Sequence, residues 1–252
     1  HFEYIEKSIK DNTQISSISG GTDIISCFAL GNPNKPVYRG EIQSKGLGMA
    51  VKIFNASGEE VPTGEKGELV CTQSFPSMPI GFFNDKNNEK YKKSYFKKYN
   101  NVWAQGDYAS FTDHDGLIIF GRSDATLNSG GIRIGTAEIY RQLEKFPNIL
   151  ESVVIDEEED GDSFVSLFII LKENIELTEE LIIKIKEEIK VNTSPRHVPK
   201  KITLVPDIPR TRSGKISELS VKAAINGNEI KNIEALANPN SIDFFKQLRI
   251  QN

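Results

Sequence analysis

The feature that most constrains this chain is a change of texture at Gly121. Before it, glycines and prolines break the sequence into short apolar runs: VYRGEI, GMAVKIF, GELVCT and GLIIFG. Runs of that length between turn residues read as short strands, of a small β-barrel or a twisted sheet. Beyond Gly121, helical and strand periods alternate. Residues 136–146 set Ala137, Ile139, Tyr140 and Leu143 on one stripe, with Thr136 in the capping position. Residues 152–156 and 164–171 read as strands flanking the acidic run DEEEDGD. Residues 178–190 read as a helix with Leu181, Ile182, Ile185 and Ile189 on one face, 202–205 as a strand and 218–225 as a helix. The expected fold class is α+β: a strand-rich segment, residues 1–123, then a small α+β domain, residues 124–252.

Charge narrows the function classes. The 252 residues carry 35 acidic and 31 basic side chains, a formal net charge of −4. Such a chain has no general attraction for nucleic acid or anionic lipid, so neither is expected as a partner. The longest apolar run, 164–171, is too short to span a bilayer, and the opening HFEYIEKSIKDN is charged where a secretory leader is apolar. Cys27 and Cys71 stand in no metal or redox spacing and are expected as reduced thiols of a cytoplasmic protein. Residues 84–101, rich in lysine and aromatics, read as a solvated amphipathic stretch, with phosphate binding as the alternative. The acidic run lacks the regular ligand spacing of a calcium loop.

Four clusters carry candidate chemistry. In Ser19-Gly20-Gly21-Thr22-Asp23 the glycines let backbone amides approach a ligand, the hydroxyl suits a phosphate, and Asp23 suits magnesium. In Trp103-Ala104-Gln105-Gly106-Asp107 the closing carboxylate has the two-oxygen geometry for a ribose diol. The block GRSDATLNSGGIRIGTAEIY sets Arg122, Asp124 and Arg133 among Gly130, Gly131 and Gly135. Two fixed cations there suit a nucleotide. In PRTRSGKI, Lys215 follows a glycine on a basic turn, from which an ammonium reaches a phosphate. Taken singly, each cluster also reads as an ordinary turn or solvated loop.

In order and spacing the four clusters resemble the adenylate-forming superfamily of acyl-CoA synthetases, luciferases and peptide-synthetase adenylation domains. The resemblance runs from Ile18 to the end of the chain. The strings ISGGTDIISCFALGNP, FPSMPIGFFND, SPRHVPKKI and ALANPNSIDFF are similar to the branch that activates acetoacetate. Acetoacetate is therefore expected over acetate.

The resemblance implies a reaction in two halves: a carboxylate attacks the α-phosphate of ATP, then the thiol of CoA displaces AMP. It implies ATP, Mg2+ and coenzyme A as substrates and activating ion, with no prosthetic group. Gly20, Gly21 and Thr22 contact the phosphates on this reading, and Asp23, shorter than the usual glutamate, holds the metal. Asp107 and Arg122 take the ribose, Arg133 lies near the phosphates, and Lys215 is the catalytic lysine of adenylation. Asp124 matches a hinge. Gly130 and Gly131 line the path of the pantetheine arm, and Lys190 or Arg196 meets a CoA phosphate. Residues 1–123 match the end of a large adenylation domain, and 124–252 its small mobile carboxyl-terminal lid.

The family's upstream phosphate loop and most of the acid pocket are not in this sequence, which begins at His1. It is read as part of an enzyme, inactive alone, whose partner is the preceding part of the same protein. Two other readings stay open: an adenylating enzyme for another short acid or a carrier protein, and a non-catalytic ligand-binding fragment.

Overall fold

The structure, a computed structural model, describes residues 2–129, 131–159 and 161–251. It divides into two compact units, His1–Ile119 and Phe120–Asn252.

Unit 1 begins with helix α1 (Phe2–Ser8), followed by strands β1 (Ser19–Gly21), β2 (Ser26–Leu30) and β3 (Ser44–Lys45), an antiparallel sheet in that order. Next come β4 (Val51–Phe54), β5 (Gly67–Cys71), helix α2 (Glu89–Tyr95), β6 (Trp103–Phe111) and β7 (Leu117–Arg122). Strands β4 to β7 form one open four-stranded sheet in sequence order, so of the two sheet forms expected the barrel is excluded. Phe28, Ile53, Leu69, Trp103 and Leu117 fill the core, each essentially without solvent contact.

One run departs from its expected state. VYRGEI is not a strand; only Ile42 pairs, in an isolated bridge to Leu117. Just before and after the run, the buried Gln43 side chain ties down the loop, donating to the carbonyls of Asn32, Lys35 and Pro36 and accepting from the Asn32 amide. The backbone groups of 32–36 are thus met by a side chain rather than by a ladder.

In unit 2 a hairpin of β8 (Leu127–Ser129) and β9 (Ile132–Ile134) leads into helix α3 (Thr136–Leu143). Strands β10 (Ile149–Glu159) and β11 (Asp162–Leu171) pair antiparallel, helix α4 (Glu179–Asn192) crosses over, and β12 (Lys201–Leu204) pairs parallel to β11. Helices α5 (Glu218–Asn226) and α6 (Ser241–Gln251) close the chain.

The period-two pattern of β10 and β11 decides the layering. Val154, Val165, Leu167 and Ile169 pack with Ile139, Leu143, Ile185 and Ile189 of α3 and α4. The alternate residues Val153, Ile155 and Phe168 pack with Val221, Ile225 and Phe245 of α5 and α6. One small sheet is thus covered on both faces.

Thr136 is not the cap of α3; the helix begins at it and Gly135 caps, its amide donating to Glu138. Only glycine fits there, because a Cβ on Gly135 would lie 2.4 Å from the Phe120 carbonyl oxygen. Thr178, read as the first residue of α4, is its cap, accepting from the Leu181 amide at 3.3 Å.

Candidate functional site

The glycine pair of unit 1 sits in a tight place. Gly20 faces Cys27 across the β1–β2 ladder, and a Cβ there would stand 2.1 Å from the Ser26 carbonyl oxygen. A Cβ on Gly21 would meet Asp23 Oδ1 at 1.9 Å and Gln105 Nε2 at 2.8 Å. Two clusters separated in sequence therefore come together, Ser19–Asp23 against Gln105. Beyond them Ile25, exposed and β-branched, holds a left-handed φ of 49°. That conformation costs of order 1–3 kcal/mol and recurs where a turn is held for function.

Asp107 is set by an irregularity in β6. Val70 pairs with Ala104 and Glu68 with Tyr108, so the single residue Leu69 opposes residues 105–107. Gly106 sits inside this bulge at φ 85°. A bulge re-aims side chains that regular pairing would alternate between faces.

Aromatic packing holds the other side. Tyr95 stacks on Trp103 with ring centroids 3.7 Å apart and donates its hydroxyl to Asp23 Oδ2. Trp103 donates to Gln105 Oε1 at 2.7 Å. Tyr95 belongs to the lysine-rich stretch read as solvated. That stretch does expose its lysines, but it buries Tyr91 against Trp103. The spacing of Tyr91 and Tyr95, one helical turn apart, was the available signal for an inward face.

In unit 2 the charges pair with one another. Arg122 grips Asp124 through two contacts of 3.2 Å each, Nε to Oδ1 and a terminal nitrogen to Oδ2. The chain leaves β7 at Arg122, bends over residues 123–125 and resumes strand at Leu127. Arg133 spans that bend, donating to the Ser123 carbonyl at 2.7 Å and to Thr126 Oγ1 at 3.0–3.1 Å. Arg122, Asp124 and Arg133 are thus one local group.

Lys215 stands on a closed turn. Arg210 and Ile216 bridge, the Thr211 amide donates to the Lys215 carbonyl at 2.8 Å, and the Lys215 amide donates to Thr211 Oγ1 at 3.2 Å. Gly214 takes φ 82° with open space around it, and the Lys215 side chain is exposed. The base is fixed by the ion pair of Arg210 with Glu151.

Of the residues expected to meet CoA, Gly130 lies outside the described residues. Gly131, at φ 79°, has no neighbour that a Cβ would touch. Arg196 reaches the same hairpin, donating to the Ser129 carbonyl at 3.4 Å. Lys190 is exposed in the last turn of α4. The partly buried His197, one residue after Arg196, lies 3.6 Å from Glu138 and hydrogen-bonds Ser194 at 2.8 Å. Sequence reading missed that pair and the contact between Tyr140 and Glu218, whose partners lie far apart in the chain.

The residues present fit a magnesium ion brought with a nucleotide. No cluster of three or more metal-ligating side chains occurs among the described residues, and Asp23 is a single exposed carboxylate. Magnesium is characteristically held by one or two carboxylates together with substrate phosphates. In the acidic run Asp156, Glu157 and Glu159 are instead ion-paired with Lys222, Lys201 and Lys200. No helix among the described residues is long and apolar enough to cross a membrane.

Comparison with known proteins gives concordant results. Residues 139–215 match the family described as AMP-binding enzyme C-terminal domain. The chain is 54% identical over 247 residues to acetoacetyl-coenzyme A synthetase of Rhizobium meliloti (strain 1021), which covers 98% of this chain and 38% of that protein. Acetoacetyl-CoA synthetase of Xenopus tropicalis is 45% identical, covering 98% of this chain and 37% of its own length. Among solved structures, acetoacetyl-CoA synthetase from Streptomyces lividans superposes with a TM-score of 0.87 at 40% identity, covering 94% of this chain and 36% of that one. An anthranilate CoA ligase in complex with anthranoyl-AMP shares the fold, with a TM-score of 0.71 at 24% identity over 81% of this chain and 38% of its own. The chain thus spans less than two-fifths of the length of these relatives.

Proposed function

Because the chain belongs with the carboxyl-terminal part of the adenylate-forming acyl-CoA synthetases, we propose that the whole protein joins acetoacetate to coenzyme A. The observation that carries this reading is the 54% identity to an acetoacetyl-CoA synthetase along nearly the entire chain. In the first half-reaction a carboxylate oxygen of acetoacetate bonds to the α-phosphorus of ATP and pyrophosphate leaves. In the second the CoA sulfur bonds to the acyl carbon, the thiol proton is lost and AMP leaves.

Lys215 serves the first step. Two anions are pushed together there, and an ammonium between them offsets the charge as the bond forms. The reading is supported by the rigid turn that exposes it. The amides of Gly20 and Gly21 and the Thr22 hydroxyl face the phosphates, and Asp23 holds the magnesium that accompanies them. Asp107, which follows the bulge at Gly106, takes the ribose hydroxyls.

Arg122 adds a ribose contact when it exchanges Asp124 for nucleotide, and Arg133 likewise exchanges the Ser123 carbonyl for phosphate. Asp124 is the hinge. The bend at 123–125 is where residues 124–252 swing as a lid, presenting Lys215 first and the Ser129–Gly131 turn second. Gly130 and Gly131 pass the pantetheine arm, with Arg196 and Lys190 toward the CoA phosphates. Two unpaired thiols fit a cytoplasmic enzyme.

The test is product analysis on the full-length protein. Acetoacetate-dependent release of pyrophosphate and AMP, in equal amounts with acetoacetyl-CoA formed from free CoA, is expected. Adenylate formation that discharges only onto a carrier protein overturns the CoA assignment.

A further inference from the structure

We propose that Glu218 is a positioning residue for Lys215: its carboxylate ties the base of the Lys215 turn to α3 beside the Arg122–Asp124 pair, so that turn and pivot move as one piece. The inference rests on the reading of Lys215 as the lysine of adenylation.

The connection can be followed bond by bond. The Ser217 amide donates to the Pro209 carbonyl at 2.8 Å and closes the base of the turn. The next residue, Glu218, opens α5 and is half-buried. Its Oε1 accepts from the Tyr140 hydroxyl at 2.5 Å, and it also bonds Thr136. The Tyr140 oxygen in turn accepts from the Val154 amide of β10 at 3.1 Å. A continuous path therefore runs from the central sheet through Tyr140 and Glu218 to the turn that exposes Lys215. The same carboxylate feels the attraction of Arg122 and the repulsion of Asp124.

The protonation states keep the path intact. Burial, then the charge of Glu218, lifts the Tyr140 hydroxyl well above the ordinary phenol range, so Tyr140 keeps its proton and donates. Burial also raises the Glu218 carboxyl, and Asp124 adds to the rise. A partly desolvated carboxylate is a costly way to join two helices, since an apolar pair would hold them without desolvation. What the side chain adds is direction, through its hydrogen bonds with Tyr140 and Thr136.

The experiment measures the two half-reactions separately in the full-length protein: acetoacetate-dependent ATP–pyrophosphate exchange, and thioester formation from supplied acetoacetyl-adenylate and CoA. Glu218→Ala is expected to slow exchange about three- to tenfold, the range open to residues that modulate coupling without touching a ligand. Thioester formation should change by less than about twofold. Glu218→Gln, which keeps an acceptor for Tyr140, should restore exchange to near the parent value, and Tyr140→Phe should fall between the two. Unchanged exchange in Glu218→Ala, equal loss in both half-reactions, or failure of Glu218→Gln to rescue overturns the inference. Lys215→Ala is run alongside. If it loses exchange selectively and Glu218→Ala does not, the positioning role alone fails; if it does not, the reading of Lys215 falls and the inference with it.

Discussion

The candidate residues of unit 1 are held by packing, whereas those of unit 2 are held by polar pairings within a single bend. Gly20 and Gly21 stand where added carbon would strike backbone or neighbouring side chains, and Tyr95, Trp103 and Gln105 lock the facing wall. Arg122 and Arg133, by contrast, are satisfied by Asp124, Ser123 and Thr126 within a bend of a few residues, and Gly214 and Gly131 have open space around them. The difference matches a division of labour. On the proposed function, the preorganised wall would fix a nucleotide, and the ion pair of Arg122 with the hydrogen bonds of Arg133 would be exchanged as the other unit presents different groups in turn.

The sharpest break in that comparison is Lys215→Ala. Removing one preorganised charge should slow adenylation by about 10²–10³-fold or more while thioester formation from supplied adenylate persists. Equal loss in both halves would mean that the unit 2 residues do not act by turns.

Next come the glycines, where the units should respond differently to the same substitution. Gly20→Ala must push the Ser26 carbonyl away and is expected to cost about 1–3 kcal/mol of stability together with nucleotide affinity. Gly214→Ala meets nothing and bears only the strain of its left-handed backbone, about 1 kcal/mol. Thermal unfolding of both full-length variants, with ATP titration, reads the contrast. Matching losses would dissolve it.

A smaller effect is expected at Tyr95→Phe, which removes one hydrogen bond to Asp23 and leaves the stacking on Trp103 intact. The KM for MgATP should rise about three- to tenfold, with kcat nearly unchanged.

The smallest is a pH effect. Glu218 has its carboxyl raised in the folded state, chiefly by burial. Folding therefore takes up a proton: the contribution to stability is fully present below the ordinary glutamate value and lost as pH rises through the raised one. Glu218→Gln, always neutral, should lose less Tm than the parent between pH 4 and 7. Parallel curves would argue that the carboxyl is not perturbed.

Local pattern carried much of this. The α4 helix was legible because Thr178 caps it and its apolar residues share one face, and β5 and β7 because glycines bound them. Strands β10 and β11 run past the stretches read from sequence because their ladder continues through Glu157–Phe164, Glu158–Ser163 and Glu159–Asp162, where the acidic residues show no apolar alternation. VYRGEI fits a strand by composition, but only Ile42 finds a partner, Leu117, and which residue a short run meets across the fold is not encoded in its periodicity. Thr136 fits a cap, but the close approach of Phe120 to Gly135 moved the cap back one residue.

The same boundary runs through the site. The residues named from motifs lie on turns, bulges and strand ends, because glycine and charge mark such places in sequence. What supports them from a distance was not legible: Tyr95 under Asp23, or Tyr140 under Glu218, 78 residues away. Such contacts are created by tertiary packing, and a single sequence holds no local trace of them.

The most direct test of the account is the specificity constant of the full-length protein for acetoacetate and for acetate, each with saturating ATP, magnesium and CoA. A value for acetoacetate at least about tenfold higher, corresponding to roughly 1.4 kcal/mol of transition-state preference, is expected. A higher value for acetate or for a longer acid would contradict the proposed function.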